Sequence, residues 1–177
     1  MIRLAVPSEA VIETAADMHA LGVELARIVG PGDLIVLSGP LGAGKTTLTR
    51  GLGEGLEVRG PVTSPTFVLA RTHPSLAGGT PLVHVDAYRL SSALELDDLD
   101  IDFARSVVVV EWGSGMLDGV ADSWLEVDIE RPTGAAAVGS GALAEGGAED
   151  DPELDRDEPR VVTVRGYGPR WGTAGSA

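Results

Sequence analysis

At 177 residues the chain has the length of one domain with room for a real core, and the absence of cysteine excludes disulfides and thiolate metal sites. A formal charge of −14 excludes a protein that grips nucleic acid unaided, because phosphate backbones are held mainly by clustered Lys and Arg. The chain opens without a basic region leading into a long apolar stretch, and no run reaches the roughly 18 apolar residues of a membrane span, so a soluble cytoplasmic protein is expected.

The first predicted element is a helix capped by Thr14, with Ala15, Met18, Leu21, Leu25 and Ile28 at helical spacing and Gly30 at its end. Asp33-Leu34-Ile35-Val36-Leu37-Ser38 follows as a short apolar run, the pattern of a buried parallel strand. It leads directly into Gly39-Pro40-Leu41-Gly42-Ala43-Gly44-Lys45-Thr46 and a helix from about Lys45 to Leu56. This octapeptide fits G-x-x-x-x-G-K-[ST], in which glycines let backbone amides wrap phosphates and the following helix presents its positive dipole end. Lys45 then reaches the β- and γ-phosphates of a nucleoside triphosphate, and Thr46 offers a hydroxyl to Mg2+. Lys45 is also the one lysine among thirteen Lys and Arg residues, a slim point charge retained where a planar guanidinium would not fit.

Beyond the helix, Val62-Thr63-Ser64-Pro65-Thr66-Phe67 concentrates hydroxyls around a stiffening proline, suited to sensing the γ-phosphate or to an ordinary loop. Two further runs, Pro81 to Val85 and Val107 to Val110, each close on a carboxylate, Asp86 and Glu111. Both acids then emerge at the sheet edge that carries the phosphates, one suited to Mg2+ and the other to orienting the attacking water. Arg89 is placed to contact phosphate or to pair with the acids of 95–98, and Trp112 to pack on the hydroxyl-rich segment, on a partner, or in the core. His19, His73 and His84 show no metal spacing and read as structural or surface residues.

Trp124 to Ile129 and Arg160 to Arg165 read as two paired strands. Between Glu145 and Glu158 stand eight acids and one arginine in a stretch poor in large apolar side chains, which cannot offset its ordering entropy. The resulting organisation is a single α/β domain, P-loop NTPase-like, with a mostly parallel central sheet flanked by helices. It spans 1–133 and 159–166, with 134–158 a disordered acidic insertion and 167–177 a flexible tail.

In order and spacing, Gly39 to Thr47, Thr63 to Phe67, His84-Val85-Asp86-Ala87-Tyr88-Arg89-Leu90 and Glu111-Trp112 resemble the TsaE (YjeE) family of small bacterial P-loop ATPases. The likeness runs from about Thr14 to Ile129. It implies ATP and Mg2+ as cofactors, with nucleotide contacts from Gly39, Leu41, Gly42, Ala43, Gly44, Lys45, Thr46, Thr47 and Thr66. It also implies Thr46 and Glu111 as metal ligands, Asp86 as the group activating water, and Lys45 beside it in catalysis. The implied activity is ATP hydrolysis serving threonylcarbamoylation of tRNA adenosine, in an assembly with TsaD and TsaB that reaches tRNA only indirectly. Gly113 stands where the family usually has proline, and the acidic insertion and Gly-rich tail have no family counterpart. A small-molecule kinase shares the phosphate loop but needs an Arg-rich lid that the chain lacks. A non-catalytic module, in which nucleotide merely orders the 62–67 segment, is the third reading.

Overall fold

The computed structural model describes residues 5–65, 68–88, 90, 92, 95–96, 98–113, 120–131 and 158–172. Thr66, Phe67, Arg89, Asp97, residues 134–157 of the acidic insertion and residues 173–177 of the tail lie outside these.

Continuous apolar runs become the middle of a seven-stranded sheet. The strands are β1 (Ser8–Ile12), β2 (Leu34–Ser38), β3 (Ala70–His73), β4 (Leu82–Asp86), β5 (Val107–Glu111), β6 (Trp124–Glu130) and β7 (Arg160–Tyr167), in the order β1-β7-β6-β2-β5-β4-β3. The four strands β6, β2, β5 and β4 are mutually parallel, β7 and β3 run antiparallel to their neighbours on either side of them, and β1, antiparallel to β7, forms the edge opposite β3. Every residue of β4 and β5 is buried, as a parallel strand covered on both faces requires. The expected pairing of the strands at 124–129 and 160–165 is present, and β7 continues to Tyr167, which stacks on Trp124 with ring centroids 5.0 Å apart. Trp171 packs against the core, so regular packing extends past the boundary read at Gly166.

One face of the sheet, built from Ile35, Leu37, Leu82, Val107, Val109, Leu125 and Val127, receives both described helices, α1 (Ala15–Ala26) and α2 (Lys45–Gly55). The other face, with Leu34, Val36, Val83, Val85, Val108 and Val110, is covered by Leu96, Leu99, Ile101, Phe103 and Trp124. Each such Leu or Val removed from water contributes about 1.5–3 kcal/mol.

Helix α1 begins as the sequence indicates, the Thr14 hydroxyl accepting from the Asp17 amide at 3.1 Å. Its end differs. Arg27 forms the C-cap in right-handed conformation, and Gly30 lies in the turn before β2, donating to Asp33 Oδ2 at 2.8 Å. The glycine serves a side-chain-closed turn there, so no left-handed cap is needed.

The crossing of α1 and α2 is set by glycine. A Cβ on Gly51 would lie 2.0 Å from the His19 carbonyl oxygen, and one on Gly22 would lie 2.1 Å from that of Leu48. The two backbones therefore touch, and this contact fixes where the first turn of α2 stands relative to the sheet.

Candidate functional site

The carboxyl ends of β2, β5 and β4 lie side by side, Leu37 and Asp86 each in register with Glu111. The ladder continues past the strand ends, for Trp112 N–H donates to the Leu37 carbonyl and Ala87 N–H to that of Glu111. The loop after β2, the Glu111-Trp112 pair and the Asp86 turn are thereby locked to one edge, as the parallel order requires.

Within the loop, Gly42 and Gly44 have φ of +72° and +107°, a region other residues seldom enter. The Ala43 side chain is buried in the core, Leu41 is exposed at the tip, and Thr46 and Thr47 sit half-buried in the first turn of α2. Gly44 occupies the N-cap of α2, no side chain caps it, and the first turn holds no acid. The orphan amides and the positive end of the helix dipole are thus left to an external anion.

Lys45 is buried and donates to the carbonyls of Gly39 at 2.9 Å and Pro40 at 3.1 Å, its Nζ 3.9 Å from the centroid of the Trp112 ring. Burial lowers its pKa below the ordinary lysine value, against the upward pull of Glu111 and then Asp86. Trp112, in a left-handed conformation (φ +62°), completes the lysine slot, and Tyr88 meets its ring edge-on at 5.7 Å. Gly113 follows where a Cβ would come within 2.7 Å of Val110 Cγ1, so a side chain at this departure from β5 would require Val110 to shift.

Both predicted carboxylates are buried here. Asp86 accepts from the Tyr88 amide at 3.0 Å through Oδ1, and Glu111 Oε1 accepts from His84 Nε2 at 2.7 Å. His84 was read from the sequence as structural or surface. It is wholly buried and holds a site carboxylate, with its Nδ1 lacking a partner among the described residues. The signal was available, because strand alternation puts 84 and 86 on one face. In the hydroxyl-rich segment, Arg50 Nε donates to the Val62 carbonyl at 3.1 Å and Arg71 Nη1 to Thr63 Oγ1, tying that segment to α2 and to β3.

Two other basic groups were not visible from motifs. Arg160, the first residue of β7, donates through Nη2 to the Gly42 carbonyl at 3.1 Å. His73 is buried, with Nδ1 3.3 Å from the Arg59 carbonyl, and burial is the main cause lowering its pKa from the ordinary 6.5. Arg59 opposes that shift, whereas His84 and Arg71 add to it. The unfolded chain therefore binds a proton that the fold refuses, and the stabilisation by neutral His73 is present above pH 6.5 and lost as pH falls below it. The Tm advantage of the wild type over His73→Gln is expected to narrow between about pH 7.5 and about pH 5.5 in thermal melts, and a widening gap would contradict the shift.

The model of the threonylcarbamoyl adenosine biosynthesis protein TsaE family matches residues 12–137. The tRNA threonylcarbamoyladenosine biosynthesis protein TsaE of Streptomyces coelicolor is 54% identical over 160 residues, covering 89% of this chain and 95% of that one. Its namesake in Bacillus subtilis is 38% identical over 118 residues, 65% of this chain and 72% of the other. The crystal structure of Bacillus subtilis YdiB superposes with a TM-score of 0.62 at 24% identity, covering 93% of this chain and 88% of that chain, a likeness of fold. Among the described residues no helix is long and apolar enough to cross a membrane.

Proposed function

The chain belongs to the TsaE family, and from that membership together with the site we propose that it is the ATP-binding and ATP-hydrolysing subunit serving formation of the threonylcarbamoyl group on tRNA adenosine. It does so with TsaD and TsaB. The observation that carries the hydrolytic part is the convergence of Lys45, Asp86 and Glu111 at one sheet edge below an uncapped helix N-terminus.

The loop amides from Gly39 to Lys45 and the first turn of α2 bind the triphosphate, and Lys45 moves its ammonium from loop carbonyls to the β- and γ-oxygens. Among the described residues no group of three or more His, Cys, Asp or Glu is arranged to hold a metal. Mg2+ takes few protein ligands and keeps several waters, and Thr46 in the first turn of α2 and Glu111 at the end of β5 are the residues that would hold it. When bound, the ion neutralises charge on the terminal phosphates. His84 fixes the orientation of Glu111, and Asp86 accepts a hydrogen bond from the attacking water and aims it at the γ-phosphate. The segment of Thr63 and Ser64 senses the γ-phosphate and changes arrangement when it leaves, which would convey nucleotide state to partners; Thr66, also assigned to the nucleotide, lies outside the described residues. An acidic subunit of this kind need not grip tRNA unaided, because it reaches tRNA only through the assembly.

Magnesium-dependent ATP hydrolysis, measured with and without TsaD and TsaB, tests the proposal. Asp86→Asn is expected to reduce turnover by about 10²-fold or more while changing nucleotide affinity only a few-fold. Full turnover by that variant would remove Asp86 from catalysis, and a wild-type chain that binds no nucleotide would remove the function.

A further inference from the structure

We infer that Arg160 is a positioning residue of the phosphate loop, acting through the peptide that joins Gly42 to Ala43. It stands 118 residues from Gly42 and beyond the segment matched by the family model. The inference rests on the loop being a nucleotide site.

Arg160 is only 7% exposed, although it opens a strand whose other arginine, Arg165, is half-exposed and pairs with Asp128 at 2.6 Å. Its Nη1 donates to the Glu158 carbonyl at 2.6 Å and its Nη2 to the Gly42 carbonyl at 3.1 Å, while Nε is buried with no partner. Both acceptors are neutral main-chain groups. A guanidinium desolvated in this way is costly to the fold, which calls for a role other than strand stability.

That role follows from peptide geometry. In a trans peptide the carbonyl and the next amide point in opposite directions. With the Gly42 oxygen drawn toward β7, the Ala43 amide is turned back into the loop, where it donates to the Pro40 carbonyl at 3.1 Å. Pro40 is also an acceptor for Lys45, so the amide and the ammonium are gathered at one place. Gly42, at φ +72° and without a side chain, leaves this peptide held against a flip by the Ala43–Pro40 hydrogen bond alone unless Arg160 also takes its oxygen. Arg160 supplies a second anchor from the carbonyl side, and the turn of the loop is set before the ligand arrives.

The experiment compares the full chain with Arg160→Met and Arg160→Lys, by calorimetric titration with ADP and Mg2+ and by hydrogen exchange at individual amides. Arg160→Met is expected to weaken ADP binding about tenfold and to speed exchange at Ala43, with the β7 amides of Val162 and Val164 unchanged. Arg160→Lys, with a single donor centre for Gly42, is expected to fall between. Wild-type affinity within twofold in both variants, or faster exchange along all of β7, would overturn the inference. If the wild type itself binds no ADP, the nucleotide reading fails instead and exchange at Ala43 alone decides on Arg160. If Arg160→Met does not fold, Arg160→Lys decides by the same two measurements.

Discussion

Lys45→Met is expected to weaken ATP binding by about 100-fold or more while moving Tm little. Hydrogen bonds to charged groups contribute about 1.5–3 kcal/mol each, so losing two phosphate contacts removes at least two powers of ten in affinity. The variant also leaves Asp86 and Glu111 facing an anionic ligand without the intervening cation that both act on. Methionine keeps the stem against Trp112, so packing is largely preserved. The small effect on Tm has its own reason. Burial depresses the Lys45 pKa more than the two carboxylates raise it, so the buried ammonium adds little to the stability of the fold. Calorimetric titration and thermal melting on the same variant decide the matter. A collapsed Tm with affinity within tenfold of wild type would make Lys45 a structural residue.

Gly51→Val is expected to have the largest effect on stability. The new Cβ would be placed 2.0 Å from the His19 carbonyl oxygen and 2.8 Å from its carbon, both main-chain atoms of a buried helix crossing. No side-chain rotation relieves such a contact, so α2 must move away from α1. The loss should reach or pass the upper end of the roughly 1–3 kcal/mol seen for overpacked cores. Even Gly51→Ala, which gains up to about 1 kcal/mol in helix propensity, should be a net loss. Urea unfolding measures both. Because Lys45 opens the same helix, nucleotide affinity should fall along with stability, whereas an unchanged midpoint for Gly51→Val would mean the helices do not meet as described.

The parts of the fold that could be read in advance are those where burial leaves one pattern available. Residues 34–37 and 107–110 are covered on both faces, so they read as unbroken apolar runs, and Asp86 and Glu111 mark the ends of the runs at 81–85 and 107–110. β3 could not be read, since Ala70-Arg71-Thr72-His73 is a short edge strand with two exposed positions. β1 was hidden for another reason: its partner β7 lies some 150 residues away, and its own alternation is weak. Nor does spacing disclose that both described helices share one face while Leu96, Leu99, Ile101 and Phe103 cover the other. At the site, the Lys45 loop and the two carboxylates follow from motif and strand ends. The hydrogen bond of His84 to Glu111 required the β4–β5 register, and the reach of Arg160 to Gly42 required the whole sheet.

A chain with one lysine, buried at the phosphate loop with its pKa lowered, has an unusual covalent chemistry. Terminal amine aside, an acylating or carbamylating reagent finds a single side-chain primary amine in the entire sequence. That nitrogen is the one the triphosphate would cover. Side-chain modification by amine-directed reagents is therefore confined to Lys45, and an adduct located at that residue, followed over time, becomes a direct reading of whether the phosphate loop is covered.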